Sequence, residues 1–83
     1  MPALLTLEQA LLRYDRLQST KRHYNVHALN IYLKRAEDIQ ADAAQGKNLR
    51  TAIMDGFSDR LRDFVLKAMG LAPMTDAERA RRP

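Results

Sequence analysis

The 83 residues contain no cysteine and no tryptophan, and glycine and proline occur only three times each. Without cysteine there is no disulfide and no thiolate metal site, and the chain suits a reducing compartment. Two histidines, His23 and His27, leave little for a structural zinc. No apolar run approaches the roughly 18 residues that read as a membrane span. Residues 1–8 lack the basic and then apolar layout of a secretory leader, so none is expected and the expected location is cytoplasmic. There is no glycine-rich phosphate loop, no serine–histidine arrangement and no paired carboxylates in a recognisable pocket pattern. No cofactor is expected, and no enzyme.

Size sets the next limit. A stretch this short cannot hold a barrel or a dinucleotide-binding sheet. A domain of this length buries only about 60–65% of its unfolded surface. With disulfide and metal both missing, a second copy of the chain or a protein partner is the expected source of further burial.

What is present is helical and basic. Fourteen Lys and Arg stand against ten Asp and Glu, giving a formal charge of +4. Alanine, leucine and arginine dominate, and the prolines fall at positions 2, 73 and 83. Almost seventy consecutive residues are therefore free of the strongest helix breaker.

Three helices are expected, over about 7–19, 26–45 and 49–69. Thr6 with Gln9 has the capping-box form, and Leu7, Ala10, Leu11, Tyr14 and Leu17 recur on one face. Asn25 suits the cap of the second helix, whose Leu29, Tyr32, Ala36, Ile39 and Ala43 form a heptad seam. Gly46 suits its end, and Asn48 can cap the third helix. Leu49, Ile53, Phe57, Leu61, Phe64, Val65 and Ala68 supply that helix with an apolar face, and Gly70 a stop. Gly56, in its middle, signals either close packing or a break capped by Ser58.

The expected fold is all-α: a small three-helix bundle built on a long antiparallel αα-hairpin, dimeric, with residues 1–73 as one domain. Residues 74–83 are expected to form a frayed or disordered basic tail, although Thr75 and Glu78 again match a capping box.

Lys21-Arg22-His23-Tyr24 is the leading candidate for nucleic-acid contact, combining charge, a ring and a helix start. Lys34 and Arg35 extend it along the second helix, and Arg79, Arg81 and Arg82 form a loose electrostatic arm. The plainer reading is a solvated connection whose cations pair with Asp15 or Glu37. No helix-turn-helix is expected, because the start of the second helix is apolar and poor in base-reading side chains.

Three further patterns read as structural. His23 and His27, at i and i+4, lack the other ligands of a metal site. Asp55, Asp59 and Asp63 are spaced as a solvated helical stripe with Arg62 and Lys67 in reach. Tyr14 and Tyr32 fall on apolar faces as core or interface rings.

The expected function is that of a small accessory or regulatory protein binding nucleic acid as a non-enzymatic homodimer. The alternative is a protein-interaction module, adaptor, inhibitor or assembly subunit, working through leftover apolar surface. Leu12, Ile31, Leu66, Met69 and Leu71 are its candidate interface, with Leu4, Leu5 and Met74 nearby in kind.

Overall fold

The computed structural model describes residues 4–19, 26–57 and 59–81, with residues 19, 26, 27 and 59 described by backbone only. Among them the chain is all-helical: α1 (Leu7–Ser19), α2 (Val26–Ala44), α3 (Leu49–Gly56), α4 (Asp59–Ala68) and α5 (Asp76–Arg81). None is long and apolar enough to cross a membrane.

The helix ends follow local chemistry. Thr6 and Gln9 close a reciprocal cap, each backbone N–H donating to the other's side-chain oxygen at 3.0 and 3.2 Å. Asn48 accepts from the Thr51 N–H at 3.1 Å and so starts α3. Gly46 and Gly70 take positive φ, 102° and 72°, where α2 and α4 stop. At both, the amide after the glycine reaches back to the last helical turn: Lys47 N–H to Asp42 O at 3.1 Å, and Leu71 N–H to Leu66 O at 2.8 Å.

α1 packs on α2 and α4, and α3 packs on α2 and α4. Leu7, Ala10 and Leu11 from α1 meet Ala36 and Ile39 from α2, Ala52, Ile53 and Met54 from α3, and Leu61, Val65 and Leu66 from α4. Phe57 and Met74 complete this core. Ahead of α1, the Leu5 N–H donates to Ala68 O at 3.1 Å, and Leu4 lies over Gly70. The N-terminal segment is thereby fastened to the end of α4.

Four expectations need correction. The single helix expected over 49–69 is two helices, because Gly56 permits a close approach of α2 and the chain turns there. A Cβ placed on Gly56 would stand 2.7 Å from Ile39 Cδ1. Leu66, expected at an interface, is a core residue at 1% exposure, because α4 is covered by α1 on one flank and α3 on another. Met69 and Leu71 are half-buried against the same core. Leu17, expected on the apolar face, is 49% exposed.

The fourth correction concerns the tail. Residues 76–81 form α5, started by a Thr75–Glu78 cap with contacts of 2.8 and 3.1 Å. Arg50 binds both oxygens of Glu78 at 2.7 Å and the Ala72 and Pro73 carbonyls at 2.8 Å. An isolated helix of six residues fails on nucleation. Here the cap and the arginine fix the first turn, and buried Met74 anchors the approach to it.

Candidate nucleic-acid interface

The junction between α3 and α4 leaves a helix C-terminus whose last carbonyls need donors. Ile53 O receives the Phe57 N–H at 3.1 Å. Gly56 O receives Arg35 Nη1 from α2 at 2.9 Å, and Met54 O receives a long contact of 3.5 Å from Arg62 Nη1 of α4. Two guanidiniums thus face the negative end of one helix, where a cation is favoured.

A groove opens beside this junction. Tyr14 from α1, Ile31, Tyr32 and Arg35 from α2, Gly56 and Phe57 from the junction, and Arg60 and Leu61 from α4 line it. Its volume is ≈ 540 Å³, within the range of small-ligand clefts. Tyr14 is held edge-on to Phe64, with ring centres 5.3 Å apart and planes at 61°. Tyr32 is half-buried. Ile31 is 46% exposed and so presents an apolar group to water in the groove lining. Arg35 and Arg60 are both exposed at its edges, and Lys34 follows the outer side of α2. Farther along α2 the exposed charges turn acidic, with Glu37, Asp38 and Asp42.

Among the described residues, the expected basic side chains stand in separate places. Lys34 and Arg35 are adjacent, and only Arg35 enters the groove. Lys21, Arg22, His23, Tyr24 and Arg82 lie outside the described residues, as do Asn25, Ser58 and the side chain of His27. Arg79 is no loose arm: it contacts both oxygens of Asp63 at 3.2 and 3.3 Å. It borders a different hollow, with Asp63, Lys67, Gly70, Leu71 and Pro73. Arg81 ends α5, exposed.

The other expected sites divide in the same way. Asp55 and Asp63 stand on separate helices, and they pair with Lys47 and Arg79 respectively. Leu12 is 41% exposed. It lines a shallow hollow on the outer face of α1 with Leu5, Gln9, Arg13, Arg16 and Leu17.

Arg60, Tyr14 and Tyr32 are the groove residues that composition and spacing did not single out as binding groups. For Arg60 the available signal was its place four residues after Gly56, just past a break that the Gly56-Phe57-Ser58 sequence allowed. For the tyrosines the signal was a hydroxyl on an apolar face, which marks the border of a core as readily as its centre.

No protein-family model matches the chain, and comparison with curated proteins and with solved structures gives no significant likeness.

Proposed function

We propose that this chain is a small accessory protein that binds nucleic acid without catalysing a reaction. The observation that carries the reading is the groove in which Arg35 and Arg60 flank Tyr14 and Tyr32. Guanidiniums supply phosphate contacts and stacking planes, and phenol rings supply base contacts at low entropic cost. Lys34 beside Arg35 and the net charge of +4 act in the same direction.

The scaffold reads as a helical hairpin, α2 folded back on α3, with α1 as the third element. We read the working unit as a homodimer. Its support is the small core together with the exposed Leu12 and Leu17 on α1. Sedimentation of the protein and of a Leu12→Glu variant tests this. A dimer that the variant turns into a monomer is expected, and a monomeric parent chain would refute it.

Binding is tested by fluorescence anisotropy with labelled oligonucleotides at rising salt. The expected result is binding at low salt that weakens steeply as salt rises. No binding at low ionic strength to any strand would remove the reading.

A second reading, a protein-interaction module, is favoured by the hollow of Leu5, Leu12 and Leu17 bordered by Arg13 and Arg16. Such a face suits an acidic, amphipathic helix. Failure of nucleic-acid binding, with Leu12→Glu still leaving the fold intact, would shift the balance to it.

A further inference from the structure

We infer that the groove takes single-stranded nucleic acid in preference to duplex, an unstacked base lying on the Tyr32 side and the phosphates on Arg35 and Arg60. The inference rests on the nucleic-acid reading and narrows it.

Shape is the first argument. Among the lining residues Phe57 and Leu61 are buried and Tyr14 and Tyr32 half-buried, whereas Ile31, Arg35 and Arg60 are exposed, so the rings lie deeper than the cations. A duplex keeps its bases stacked inside and offers a convex backbone, so it can touch the cations and leave the rings uncovered. A single strand turns out a base whose π-face suits such rings, while its flanking phosphates reach the two guanidiniums.

Charge is the second argument. A duplex laid along α2 would follow Lys34 and Arg35 and then run over Glu37, Asp38 and Asp42, all exposed. Carboxylates facing phosphates are repulsive, so the favourable footprint is short. The cations that line the groove among the described residues are Arg35 and Arg60, with Lys34 next to Arg35 in sequence. Three phosphates on a single strand give a salt slope of about −2, or roughly 20-fold weaker binding between about 50 and 200 mM salt. Arg35 keeps one donor on Gly56 O at 2.9 Å, which fixes its head at the groove edge and leaves its other donors for the strand.

The test uses the full chain with short oligothymidylate, oligouridylate and a duplex of the same length, followed by anisotropy. Tyrosine is the brightest intrinsic emitter, because the chain has three tyrosines and no tryptophan. Stacking of a base therefore quenches the intrinsic emission. The expected results are tighter binding of either single strand than of duplex, and quenching on binding. Arg60→Glu, at an exposed position, should weaken single-strand binding about tenfold or more. Tyr32→Leu keeps apolar bulk, removes the ring, and should cost about tenfold on the single strand with little change on duplex. Circular dichroism confirms that each variant is folded. Duplex bound as tightly as single strand, or a strand bound with unchanged tyrosine emission, overturns the inference while the broader reading survives. Absence of binding to all three at low salt overturns both.

Discussion

Arg50 and Glu78, 28 residues apart in sequence, form a two-pronged ion pair with both contacts at 2.7 Å. Two further guanidinium donors close on Ala72 and Pro73, so one side chain holds a whole turn and the helix after it. A planar fork makes this arrangement possible, and a lysine at the same place cannot reproduce it.

The first prediction is that Arg50→Lys detaches α5 while the rest of the chain stays folded. Lysine keeps the charge and loses the fork and at least one carbonyl contact. Hydrogen exchange should show the Glu78 and Arg79 amides unprotected, with core amides near Leu11, Ile53 and Val65 unchanged. Joint loss of protection in the core would contradict a locally held α5.

Acid should release the same helix late. The Glu78 carboxyl is lowered from its ordinary 4.5 to about 2, first by the Arg50 hydrogen bonds and then by the Thr75 N–H. Because the folded pKa lies below the unfolded one, this pairing contributes fully above about pH 4.5 and is lost as pH falls through about 2. Carbon-13 titration of the Glu78 carboxyl by NMR checks it, and a midpoint near 4.5 would refute it.

Gly56→Ala should destabilise by about 1 kcal/mol, although alanine is the better helix former by a similar amount. The added methyl would meet Ile39 Cδ1 at 2.7 Å, and Ile39 is itself buried at 3% exposure. Ile39→Val removes that carbon and alone should cost about 1 kcal/mol. Combined, the two changes should cost less than their sum in urea denaturation. Strict additivity would show that the two sites do not touch.

Arg62 is 4% exposed, its Nε has no partner among the described residues, and its contact with the Met54 carbonyl is 3.5 Å long. A buried cation so poorly paired costs more in lost hydration than it recovers. Arg62→Met, close in bulk, should be neutral or stabilising by up to about 2 kcal/mol. Arg62→Ala should instead destabilise by about 2 kcal/mol by opening a cavity. A shift of the urea midpoint in the opposite order would refute this account.

Local chemistry was legible where it acts over three or four residues. The Thr6–Gln9 cap, the Asn48 cap and the Gly46 and Gly70 stops could all be read from spacing and were found in place. What could not be read depends on residues far apart. The apolar spacing of α4 gives no sign that both of its flanks are covered, so Leu66 read as surplus. The Thr75–Glu78 cap was visible, yet whether it would hold depended on Arg50, and no local pattern links those positions. The groove was partly visible through Lys34 and Arg35. Arg60 joins it from α4, past the break at Gly56, and Tyr14 joins it from α1, so the groove is assembled from residues far apart in sequence.

The fastening of Leu5 to Ala68 places the start of the chain at the end of α4. Gly70, which Leu4 covers, and Arg79 of α5 border one hollow. Beginning and end of the described chain therefore sit at the same pole. Tyr14 lies seven residues along α1 from Leu7, roughly 10 Å away at helical rise. A dye carried on α5, at the exposed Ala80 for instance, would leave the groove uncovered. The N-terminal clasp and α5 therefore meet on one side of the fold, around the turn that follows α4.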